Sequence, residues 1–107
     1  MSTYDLGDVA RLGNYSGASL SDAFKDLAGV ATDPTAVTLT VTKPSGAQLA
    51  YGWPSAGANG TLTRESAGRF YFDVALDQEG VWSYRLVGTG TAAAAAEGRL
   101  IVRQRWT

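Results

Sequence analysis

Apolar residues recur at every second position in several short stretches, the spacing that gives a strand one buried and one exposed face. Val37, Leu39 and Val41 alternate with Thr38, Thr40 and Thr42, and the run stops at Lys43-Pro44-Ser45-Gly46. Pro fixes φ and Gly tolerates the left-handed region, so a turn is predicted there. A second alternating run, Leu49, Tyr51 and Trp53, completes a hairpin. Pro54 to Gly60 reads as a loop ending in Asn-Gly, and Thr61 to Arg64 as a short polar edge strand. From Arg69 to Leu76, Phe70, Phe72, Val74 and Leu76 share a face opposite Arg69, Tyr71 and Asp73. Asp77-Gln78-Glu79-Gly80 turns into a strand over 81–88 with Trp82, Tyr84 and Leu86 inward. A last strand around Gly98 to Gln104 sets Leu100 and Val102 against Arg99, Ile101 and Arg103.

The remaining segments are less periodic. Five alanines, Ala92 to Ala96, lie between Gly-rich flanks and are too few to nucleate a helix alone, so a loop or the start of a strand is expected. Tyr4 to Leu12 alternates as one strand. Ser21 to Leu27 fits a helical turn or a short strand, and strand plus loop is preferred. Asp33-Pro34-Thr35 closes this less regular 1–33 segment, because the residue before Pro is pushed towards extended geometry. About seven short strands separated by turns predict a single all-β domain over 1–107, an antiparallel β-sandwich, with a small closed barrel as the alternative. Its expected core is Val37, Leu39, Val41, Phe70, Phe72, Val74, Trp82, Tyr84, Leu86, Leu100 and Val102.

Composition narrows the chemistry. The chain of 107 residues is 45% hydrophobic and contains neither Cys nor His. Disulfides, thiol nucleophiles, Ser-His-Asp triads, imidazole acid–base chemistry and zinc sites built on Cys or His are therefore excluded. A net charge of −1 supplies no field to gather DNA or an anionic membrane, so neither is an expected partner. The amino terminus lacks the basic start and apolar centre of a signal peptide, which fits synthesis in a cytoplasm.

Carboxylates are the remaining catalytic type in quantity. Asp77 with Glu79, and Asp5 with Asp8, read as solvated turn residues rather than an opposed pair. Asp22, Asp26 and Asp33 lack the dense ligand spacing of a calcium loop. The glycines of 52–60 and 88–90 form no phosphate cradle, and Lys25 and Lys43, near turn signals, are expected to be ordinary exposed ammoniums. No enzyme activity, cofactor or metal is expected.

Aromatic and charged residues point instead to contacts. Trp53, next to Pro54, and the terminal tail 103–107 with Arg103, Arg105 and Trp106 hold the residue types that anchor interfaces, although a Trp folded back on its own domain fits equally. Residues 1–33 carry five acids and two bases, −3, and 34–107 five acids and seven bases, +2. Such ends pair within one domain or between copies, and exposed pairs of this kind are weak.

The stretch Asp77-Gln-Glu-Gly80-Val-Trp82-Ser-Tyr84 resembles the turn into the sixth strand of immunoglobulin-like domains, with Trp82 in the aromatic slot. Tyr84 stands roughly where that family has its second Cys. Together with residues 4–12, 33–41, 44–46 and 80–85, the chain is similar to small immunoglobulin-like proteins encoded among tailed-bacteriophage structural genes. The resemblance implies a non-enzymatic virion component assembled in the host cytoplasm in many copies. Its implied partners are capsid, portal or adaptor, or tail proteins, in the head–tail neck or as decoration of the capsid or tail surface. On this reading 1–33 and 99–107 reach neighbouring subunits while the sandwich acts as a spacer. The alternative is a binding module displaying Tyr51, Trp53 and the 54–60 loop to carbohydrate or a host surface.

Overall fold

A computed structural model describes residues 2–16, 23–90 and 92–104. Nine strands and no helix occur among them: β1 (Ser2–Asp5), β2 (Val9–Gly13), β3 (Ala36–Thr42), β4 (Gln48–Trp53), β5 (Gly60–Thr61), β6 (Thr63–Ser66), β7 (Arg69–Ala75), β8 (Gly80–Thr89) and β9 (Ala94–Arg103). They form a six-stranded sheet, β1-β9-β8-β3-β4-β5, and a three-stranded sheet, β2-β7-β6. Both sheets contribute to one buried core, which makes the protein a β-sandwich rather than a closed barrel. The order β9-β8-β3-β4 beside β2-β7-β6 is the strand arrangement of the immunoglobulin sandwich, in the variety that extends the sheet past its fourth strand.

Alternation decides which residues meet. The register aligns Tyr51, Leu39, Leu86 and Ala96 across four strands, and beside them Leu49, Val41, Tyr84 and Gly98. Val37, Leu39, Val41, Phe70, Val74, Trp82, Leu86, Leu100 and Val102 are buried, with Ala10, Leu12, Phe24 and Leu62 added to them. Phe72 and Tyr84 are half-buried at the margin, Phe72 stacking on Tyr51 with ring centroids 4.0 Å apart. Trp82 is fully buried, and its indole Nε1 donates to the Gln78 carbonyl at 2.9 Å. Immunoglobulin domains tie a tyrosine hydroxyl to upstream backbone at the equivalent corner; here an indole N–H makes the bond.

The structure departs from the sequence reading in three places. There are nine strands instead of about seven, because the single strand expected over Tyr4–Leu12 is two, and the edge strand expected over Thr61–Arg64 is divided between β5 in one sheet and β6 in the other. Gly7, at φ +94°, turns the chain out of one sheet and into the other. That turn is closed by Asp5 N donating to Asp8 Oδ2 and Gly7 N to the Leu76 carbonyl, both at 2.9 Å. The sandwich is not wholly antiparallel, since β1 pairs parallel with β9 and β5 with β4. Within the domain, Ser2–Asp5 pairs with Leu100–Arg103, and Val9–Gly13 with Tyr71–Ala75. Finally, the Lys43 side chain is only 15% exposed; its ammonium lies 5.7 Å from the centre of the Trp82 ring and 3.0 Å from Asp77. A lysine stem covers apolar surface while its head stays wet, and that outweighs full exposure here.

Burial pushes the Tyr51 and Tyr84 hydroxyls above their ordinary value of 10.0, and neighbouring Tyr4 and Tyr15 add to the rise at Tyr84. The fold thus favours the neutral phenols. Their stabilising contribution is fully present below pH 10.0 and is lost as pH climbs through the raised folded values. An alkaline titration followed by tyrosinate absorbance and circular dichroism should show these two hydroxyls ionising above pH 10.0, together with loss of structure. The Tyr51→Phe/Tyr84→Phe variant should keep its fold to higher pH than the parent.

Candidate contact surfaces

Three connections meet the six-stranded sheet at one end: β2 to β3 over 14–35, β4 to β5 over 54–59, and β8 to β9 over 90–93. The register places them together, with Ala36 opposite Thr89, Val37 opposite Trp53 and Gly88 opposite Ala94. Immunoglobulin variable domains cluster the corresponding loops at one end of the sandwich.

Asn14 ties the longest of these loops to the core. It is 3% exposed, the only buried polar side chain among the described residues. Its Nδ2 donates to the Gly68 carbonyl and its Oδ1 accepts from Phe70 N, each at 2.8 Å. Phe24 N donates to the same Gly68 carbonyl at 2.9 Å, and Gly68 N donates to Asp33 Oδ1 at 2.9 Å. Gly68 is required at this junction. Its φ is +73°, and a Cβ there would lie 2.5 Å from the Phe24 carbonyl oxygen. The Phe24 ring then covers Gly88 and packs on Phe70 at 6.2 Å between centroids.

Beyond Phe24 the chain makes a small hairpin, with Lys25 bridged to Ala31. Asp26 closes it: Oδ1 accepts from Ala28 N at 2.9 Å and Val30 N at 3.1 Å, while Asp26 N donates to the Val30 carbonyl at 3.0 Å. This internal bonding is the reason Asp residues favour turns. It also holds two aliphatic side chains outward, Leu27 at 107% and Val30 at 59% exposure. An aliphatic tip on a hydrogen-bonded turn, with the neighbouring acids Asp26 and Asp33 already engaged, matches the charge-poor centre of a protein interface.

The residues singled out from sequence are dispersed. Trp53 is half-buried, its ring 4.7 Å from that of Phe70, so it lines the core margin under the loops. Tyr51 is 5% exposed and belongs to the core. Arg103 lies at the opposite end of its strand from the loop cluster, exposed, with Nε 2.7 Å from Asp5 Oδ1. Arg105 and Trp106 lie outside the described residues, as does Asp22. Sequence reasoning missed Leu27, which carries no periodic signal. It also missed a group on the outer face of the three-stranded sheet. There Arg11 lies 4.0 Å from the Tyr71 ring centre and pairs with Asp73 at 2.9 Å, and Tyr15 meets Tyr71 edge-on.

Among the described residues, Asp5, Asp33, Asp73, Asp77 and Glu97 each face an arginine or lysine, and Glu65 accepts from Ser16 N. No group of three carboxylates able to hold a metal ion occurs among the described residues. Comparison with known families, curated proteins and solved structures gave no match to this chain.

Removing the Asn14 side chain leaves the Phe70 N–H and part of the Gly68 carbonyl's bonding unmet in a buried site. Asn14→Ala should therefore lower stability in urea unfolding by roughly 1–3 kcal/mol. An unchanged unfolding midpoint would show that Asn14 does not anchor the loop.

Proposed function

We propose that this chain is a non-enzymatic structural component of a tailed-phage virion. It is made in the host cytoplasm and used in many copies, in the head–tail neck or on the capsid or tail surface. Two lines support the reading: the likeness of its motifs to small phage immunoglobulin-like proteins, and an immunoglobulin-type sandwich that presents a prearranged apolar tip. The tip carries the argument. Leu27 and Val30 are exposed on a turn already fixed by Asp26, so docking them into another virion protein buries aliphatic surface with little further loss of backbone freedom. Symmetry multiplies each such contact across the particle.

The test is incorporation. Burying one leucine contributes about 1.5–3 kcal/mol, so Leu27→Asp should lower the affinity of each copy by roughly tenfold or more. Particles assembled in cells supplying only Leu27→Asp, with circular dichroism of the isolated variant unchanged, should contain much less of the protein. Normal occupancy would contradict the role of the tip, and absence of the parent protein from purified particles would contradict the setting.

A further inference from the structure

The outer face of the six-stranded sheet carries a second organised surface, remote from the tip turn. The register stacks two polar rows across β3, β8 and β9, Thr42–Ser83–Arg99 and Thr40–Arg85–Glu97. They line a half-open groove of about 620 Å³. One row further along, Val81 sits opposite Ile101, and both are exposed, at 51% and 37%.

The charges here are only loosely engaged. Arg85 and Glu97 are 3.6 Å apart and 59% and 72% exposed, a loose pair in water. Arg99 makes no ion pair among the described residues, whereas Arg103, four residues on, is held by Asp5. The groove is thus locally cationic in a chain whose net charge is −1.

We propose that this groove binds an extended acidic segment of a partner protein, with an Asp or Glu carboxylate against Arg85 and Arg99 and an apolar side chain on Val81–Ile101. Charge complementarity selects the occupant, and strand geometry selects its form. Successive rows are two residues apart along each strand, the same interval that separates side chains on one face of an extended peptide. A segment lying along the strands places an apolar residue on the first row and an acid two positions later on the second. The hydroxyls of Thr40, Thr42 and Ser83 are at hand for its backbone polar groups. A neutral sugar fits less well, because Tyr84, the aromatic residue along the groove, has its ring on the inner face over Gly98. The inference rests on the reading of the chain as a contact module but uses a different surface.

A fluorescein-labelled peptide Leu-Ser-Glu-Ser-Glu-Ser, titrated with the full chain at low salt and followed by anisotropy, tests it without any particle. The expected result is saturable binding that weakens as salt rises and is lost when Lys replaces both Glu. The Arg85→Ala/Arg99→Ala variant should weaken binding by about tenfold or more, as expected for loss of charge-assisted hydrogen bonds. Arg99→Glu should weaken it too, while Lys25→Glu, an equal change in charge at the loop end, should stay within about twofold. Absence of saturable binding, or equal weakening by Lys25→Glu, overturns the proposal. So does binding of an oligogalacturonate in place of the peptide, or self-association of the chain that Arg99→Glu abolishes. Peptide binding with normal incorporation of Leu27→Asp would uphold the groove and sink the tip; the reverse pattern would do the opposite.

Discussion

No disulfide joins the two sheets, so they are held together by what every second residue buries between them. Trp82 occupies the place where this matters most. It is wholly enclosed, its one polar atom is satisfied by the Gln78 carbonyl, and Lys43 lies over its ring. A buried indole contributes a large apolar area only if its N–H finds a partner. The turn at 77–80 supplies that partner within four residues, so the same local sequence that starts β8 also seats its largest side chain. A chain without cysteine can thereby keep a sandwich of the kind to which antibody domains add a disulfide.

Rigidity reaches the loop end from this core through polar contacts. Asn14, at the end of β2, bonds to the β6–β7 turn, and that turn bonds in addition to Phe24 and Asp33 of the long connection. The connection therefore hangs from both sheets, with Phe24 as its apolar plug and Asp26 shaping its tip. Surfaces that must meet a partner repeatedly gain from such fixing, because little conformational freedom remains to be lost on contact.

The strands with one buried face were legible because their apolar residues alternate without interruption: β3 from Val37 to Val41, β7 from Phe70 to Val74, β8 from Trp82 to Leu86. The break between β1 and β2 was hidden, since Gly7 falls within an alternation that continues on either side while the chain changes sheets. The alanines of 94–96 were ambiguous until their pairing with Leu86–Gly88 drew them into β9. Asn14 gave no sign of its role, because its partners lie 54 and 56 residues away and no local pattern records them. Leu27 misleads in the opposite sense, as a lone leucine reads as core and stands in water here. The charge division was legible as composition only; the structure joins Asp5 to Arg103 and Asp33 to Arg64 within the domain.

The central claim is that the loop end shares the stability of the core, and native-state hydrogen exchange tests it residue by residue. The account predicts that the amides of Phe24, Gly68 and Phe70 exchange only through the global opening that also exposes Leu39 and Leu86. Exchange of Phe24 and Gly68 at nearly unfolded rates, with Leu39 and Leu86 still protected, would contradict it.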